Sequence, residues 1–184
     1  MTVREAIAGD AEAVGPLLLK CCAQHEAWDA AKYGLTENVI REYRRWFGQI
    51  AEDPRTFLLV AEDGKKVVGF LIAAVRREAP IYRLKEYALI QELWVEPEYH
   101  GTGVGRDLIN AAAAMVRPLG ITQMRAETAA SNEPLRKMLE SCGFRTCMVD
   151  LLLELPPSAP KRRRPRAAGA RAPASNSTSL EASP

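Results

Sequence analysis

The chain has 184 residues, 47% of them hydrophobic and 26% charged, with a formal net charge of +2. That length and mix predict one ordinary globular domain. No wholly apolar stretch, Phe70–Val75 included, exceeds six residues, which excludes a spanning helix of roughly 20.

In chain order, Thr2–Ala8 reads as a short strand, stopped by Gly9-Asp10. Residues 11–28 read as a helix with Ala13, Leu17 and Cys21 at helical spacing. A second helix is expected over 36–51, where Thr36 and Asn38 are candidate caps and Val39, Tyr43, Trp46, Phe47 and Ile50 make one stripe. Thr56–Ala61 and Lys66–Val75 are β-rich runs joined by Glu62-Asp63-Gly64-Lys65, a hairpin signal. Ala88–Val95 is a further strand, ended by Pro97.

Residues 104–117 carry a 3.6-residue period in Val104, Leu108, Ala111, Ala112 and Met115 and predict a helix. Gln123–Thr128 reads as a strand and 132–142 as a short helix closed by Gly143. Phe144–Leu155 reads as a returning strand. This order implies a mixed α/β sheet with helices on its faces and a folded domain over 1–155.

The charge is uneven. From Pro156 onward there are six basic residues against one acid, which leaves −3 for the rest of the chain. The same stretch, 156–184, holds six of the twelve prolines and too little apolar surface to offset its ordering entropy, so it is expected to be disordered. Lys161-Arg162-Arg163-Arg164-Pro165-Arg166 has no aromatics to stack bases, so a solvated tail is expected and any nucleic-acid contact would be weak and salt-sensitive. With no visible export signal, Cys21, Cys22, Cys142 and Cys147 read as reduced thiols of a cytoplasmic protein.

The most informative segment is Val95-Glu96-Pro97-Glu98-Tyr99-His100-Gly101-Thr102-Gly103-Val104-Gly105-Arg106. It sets three alternating glycines between a strand and an amphipathic helix. Glycine lets a ligand approach the backbone, and the helix start offers unpaired N–H groups and a partial positive charge, a site suited to phosphate. A tight turn would need the same glycines. No Lys-Ser or Lys-Thr follows them, so the P-loop pattern fails. Counted from Gly101, the third glycine of the dinucleotide fingerprint falls on Arg106, so that fails too.

The segment resembles the pyrophosphate loop R/Q-x-x-G-x-G/A of the GNAT N-acetyltransferase superfamily. Gly103 and Gly105 match its small positions, and His100 stands where that family usually has Arg or Gln. Ile90–Tyr99 is similar to the family's fourth strand and its lead into the loop. Ser131-Asn132 through Cys142-Gly143-Phe144 is similar to its Asn-containing helix and the Gly-Phe that follows. The resemblance implies a mixed, mostly antiparallel sheet with splayed central strands, and transfer of acetyl from acetyl-CoA to an amine. It also implies that Leu93, Trp94 and Val95 hold the pantetheine arm, that His100, Gly101, Thr102, Gly103, Val104, Gly105 and Arg106 hold the pyrophosphate, and that Asn132 touches the cofactor. The tyrosine many relatives carry seven residues after the Asn is Leu139 here.

That chemistry needs a neutral amine. A lysine-like amine near pKa 10.4 is only about one part in a thousand neutral at pH 7.4, a cost of about 4 kcal/mol. A base beside the thioester lowers it, and Glu92, just before the arm-binding stretch, is the candidate. By family geometry Trp28 and Tyr82 are expected to wall the acceptor, a small-molecule or peptide amine, with Glu86 attracting its charge. Cys21, Cys22 and His25 lie one helical turn apart but have no partner cluster in sequence, so no metal is expected. A homodimer is compatible with this reading. The rival reading is a GNAT-shaped module that binds acyl-CoA with little catalysis and acts through a partner or its tail.

Overall fold

The computed structural model describes residues 1–155. Five strands form one sheet in the order β1 (Thr2–Glu5), β2 (Thr56–Asp63), β3 (Lys66–Arg77), β4 (Glu86–Val95) and β5 (Met124–Ala126). The first three ladders are antiparallel and the last, β4 with β5, is parallel. Met1–Leu152 forms one compact unit. The expected tail, 156–184, lies outside the described residues.

Period-2 alternation in β2 and β3 sends apolar side chains to both faces, so each face is covered by helices. On one side α1 (Ala11–Trp28) and α3 (Val39–Glu52) bury Val14, Leu17, Leu18, Tyr43, Phe47 and Ile50 against Leu58, Val60, Phe70 and Ile72. A short helix, α2 (Ala30–Tyr33), which periodicity did not indicate, joins them; Asp29 caps it by accepting from the Ala31 and Lys32 amides. On the other side α4 (Val104–Val116) sets Val104, Leu108, Ile109 and Ala112 on Leu59, Leu71, Ala73 and Ile90. There α5 (Glu133–Ser141) contributes Leu139 to the same core. Truncating one such buried Leu costs about 2–5 kcal/mol, so core packing fixes where α4 begins.

Two expectations change. The strand expected over Gln123–Thr128 is only Met124–Ala126, because residues 127 and 128 leave the ladder. Phe144–Leu155 forms no strand: the Phe144 amide closes α5 on the Leu139 carbonyl at 3.1 Å, and Met148, Val149 and Leu151 are exposed. A strand needs a neighbouring edge, and a three-residue β5 offers little of one. Among the described residues no helix is long and apolar enough to cross a membrane.

Candidate active site

The glycine segment becomes a turn into α4. A 3₁₀ turn at Pro97–Tyr99 leads to Gly101 at φ +76° and to Gly103, the N-cap of α4, at φ +97°. The start of an α-helix leaves its first amides without intrahelical partners. The first bond into the helix runs from the Asp107 N–H to the Gly103 carbonyl at 3.0 Å, so the Val104, Gly105 and Arg106 amides precede the helical ladder. Among the described residues, a Cβ at Gly101 or Gly103 would meet no atom within 4 Å beyond its own chain neighbours. The space over the loop is therefore open, and a phosphate can approach bare backbone.

The strand that feeds this loop is bulged. Ile72 pairs with Glu92 and Ala73 with Ile90, so Gln91 is an extra residue on β4. Ile90, Leu93 and Val95 consequently share the α4 side of the sheet, while Glu92 and Trp94 face α1 and the core beneath it. The parallel ladder to β5 covers only Ala88–Ile90. Past it the two strands part, and among the described residues no strand pairs with Gln91–Val95 on that side.

A groove of about 290 Å³ opens at this parting, lined by His25, Tyr33, Gln91, Glu92, Glu127 and Thr128 among others. Glu92 is three-quarters buried, with its side chain 24% exposed. Burial raises its pKa, and the hydrogen bond it accepts from the Cys21 thiol, Sγ to Oε2 at 3.4 Å, offsets part of that. His25 Nδ1 lies 4.0 Å from the same oxygen, and burial lowers its pKa, which favours neutral imidazole. Burial and then the Glu92 charge push Cys21 up and hold Cys22 at about 11, so both are thiols at neutral pH. Below the loop, burial pulls Glu96 upward, but ion pairing with Lys20 and the Trp94 indole N–H at 3.3 Å outweigh it.

The expected site residues separate into groups. Leu93, Trp94 and Val95 line up along the free edge, and the loop residues cluster at its end. His100 turns back so that its ring nitrogen meets the Val95 carbonyl at 2.8 Å, bracing the turn. The Thr102 hydroxyl closes on the Tyr99 carbonyl at 2.7 Å, and Arg106 donates to Ser141 of α5 at 3.0 Å. Asn132 is buried as the cap of α5: it accepts from the Leu135 amide and donates to Thr128 at 3.0 Å.

Of the three expected substrate residues, Trp28 packs beside His25, ring centroids 5.5 Å apart. Glu86 stands at the opposite end of β4, paired with Arg55 at 2.7 Å and Arg77 at 3.6 Å. Tyr82 is exposed in the connection between β3 and β4. Sequence reasoning did not single out Glu127 or Tyr33 as groove residues. The available signal for Glu127 was its place just past the carboxyl end of a parallel strand, where open α/β sheets put ligands.

Residues 22–144 match the Acetyltransferase (GNAT) family. The chain is 30% identical over 106 residues to a mycothiol acetyltransferase of Propionibacterium freudenreichii subsp. shermanii, covering 58% of this chain and 31% of that protein. It is 35% identical over 101 residues to a streptothricin acetyltransferase of Streptomyces lavendulae, covering 55% of this chain and 50% of that one. The match thus spans a third to a half of the length of these relatives. Among solved structures, a transcriptional regulator from Bacillus halodurans is similar with a TM-score of 0.68 at 23% identity, covering 84% of this chain and 99% of that one. The aminoglycoside N-acetyltransferase AAC(6')-Iy, bound to a CoA bisubstrate analogue, is similar with a TM-score of 0.69 at 15% identity, covering 84% and 97%.

Proposed function

The chain belongs to the GNAT acetyltransferase family, and from that premise we propose that it transfers an acetyl group from acetyl-CoA to a primary amine. The observation that carries this reading is the continuity of the free β4 edge, Gln91–Val95, with the open glycine turn at one end and the buried Glu92 in the groove at the other. A ligand with a diphosphate and a long amide-bearing arm fits that path: amides of residues 101–106 meet the diphosphate, and backbone groups of Leu93, Trp94 and Val95 meet the arm. His100 and Arg106 support the loop from outside, while Asn132 fixes the start of α5.

Acetyl-CoA supplies the activated acyl group. Glu92 receives the proton of the attacking amine, directly or through water, and its burial makes it a stronger base than an exposed glutamate. Glu127 and Glu92 give the groove the negative charge that draws a protonated amine. The acceptor is a small-molecule or peptide amine, and Trp28 walls the approach beside His25. The reduced thiols agree with a cytoplasmic location.

Leu139, buried in the core, brings no hydroxyl to protonate the departing thiolate, and this favours a second reading in which the domain binds acyl-CoA without efficient transfer. Calorimetry with acetyl-CoA, followed by a thiol-release assay across peptides, polyamines and aminoglycosides, separates the two. Release of CoA with an amine supports the enzyme. Binding with no release on any amine supports the module, and no binding at all removes both.

A further inference from the structure

Cys21 and His25 stand one turn apart on α1, and the Glu92 carboxylate comes to them from β4. The three donor atoms lie within 4.8 Å of one another, with sulfur to oxygen at 3.4 Å and nitrogen to oxygen at 4.0 Å. Tetrahedral zinc, with bonds of about 2.3 Å to sulfur and 2.0–2.2 Å to nitrogen and oxygen, sets such donors about 3.4–3.6 Å apart. The sulfur–oxygen pair already has that spacing, and the imidazole must close by about 0.5 Å toward the carboxylate oxygen. We propose that Cys21, His25 and Glu92 form a site for a Zn²⁺-like cation, with its fourth position open to the groove.

The donor set selects the ion. One thiolate, one imidazole and one carboxylate suit zinc, whereas calcium and magnesium take oxygen ligands. Binding forms three metal–ligand bonds, and the Cys21 thiol releases its proton to solvent. Helix α1 holds the first two ligands at i and i+4, and both rings flanking His25, Trp28 at 5.5 Å and Tyr33 at 5.1 Å, limit its rotation. An ion held here takes the Glu92 carboxylate, so it slows acetyl transfer; that consequence rests on the proposed role of Glu92, while the binding does not.

The test uses the full chain, stripped with chelator, carrying Cys147→Ser to remove the exposed thiol. One equivalent of Co²⁺ is expected to give thiolate-to-cobalt absorption in the near ultraviolet and to be displaced by Zn²⁺, with no competition from Mg²⁺ or Ca²⁺. Cys21→Ser abolishes the band and Cys22→Ser keeps it. His25→Phe, which retains ring packing and serves should Cys21→Ser fail to fold, weakens Zn²⁺ roughly 100-fold or more, beyond the loss typical of an outer-shell partner. No band, or a band that survives Cys21→Ser, overturns the site. Zn²⁺ is further expected to inhibit acetyl transfer reversibly in each chain that shows the band. A band without inhibition leaves the ion site standing and overturns the proposed role of Glu92 as the base.

Discussion

Glu92 pairs with Ile72 across the β3–β4 ladder, out of phase with the Ile90–Ala73 pair two residues before it. The bulge at Gln91 turns the carboxylate from the α4 face, where alternation would have put it, to the α1 face. There it meets the Cys21 thiol and the groove. Glu92→Gln keeps the shape and most of the hydrogen bonding but cannot take a proton. It is expected to lower kcat by about 10²–10⁴-fold, the range for a positioned general base, with the Kd for acetyl-CoA unchanged. Steady-state kinetics beside calorimetry checks this, and an unaltered kcat removes Glu92 from the mechanism.

The loop makes a separable prediction. Gly103 caps α4 at φ +97° with open space where a Cβ would stand, so Gly103→Ala suffers from backbone conformation and not from collision. The left-handed region costs a non-glycine residue about 1–2 kcal/mol. The turn is expected to relax away from it, weakening acetyl-CoA roughly tenfold while the melting temperature falls by only a few degrees. Calorimetric titration measures the first and a thermal melt the second; an unchanged affinity would show that the turn does not hold the diphosphate.

Much of this architecture was legible because it is local. The Asp63-Gly64 signal marked the β2–β3 hairpin, and the spacing of Val104, Leu108 and Ala112 marked α4 and its buried face. What stayed hidden depends on partners distant in sequence. Cys21 lies 71 residues from Glu92, so the pattern of α1 alone could not show a third ligand. The apolar run after Phe144 has strand composition, yet composition supplies no edge to pair with. Nor does alternation announce an inserted residue: only the ladder with β3 exposes the phase change at Gln91.

Glu127 tests the charge of the groove. It is exposed and stands across the parting of β4 and β5 from Glu92, so it contributes attraction and no proton transfer. An exposed pair of charges is worth about 0.2–1 kcal/mol. Glu127→Gln is therefore expected to raise KM for a cationic acceptor by about two- to fivefold with kcat held, and the difference should shrink in high salt. A change in kcat without one in KM would place Glu127 in the chemistry instead.

Stability in acid turns on Asp10. Arg4 grips it through two nitrogens at 2.8 and 2.9 Å, the Ile7 amide donates to it at 2.7 Å, and Glu62 completes the cluster on the same guanidinium. The Arg4 hydrogen bond, against the opposing effect of burial, holds the Asp10 carboxyl below its ordinary range. A carboxyl depressed in the folded state binds fewer protons there than in the unfolded chain. Its stabilisation is thus full above the unfolded pKa of about 3.9 and fades as pH falls through the lower folded value. Asp10→Asn retains an acceptor for the Ile7 amide but loses the charge on Arg4. The expected loss at pH 7 is about 1–2 kcal/mol, toward the low side for hydrogen bonds to charged groups because Arg4 is 34% exposed. For a chain of this size that corresponds to a melting temperature roughly 2–8 °C lower. Melts of both proteins from pH 7 to pH 3 should show the gap narrowing below pH 4; a gap that persists undiminished in acid would mean that the Asp10 charge does not carry the effect.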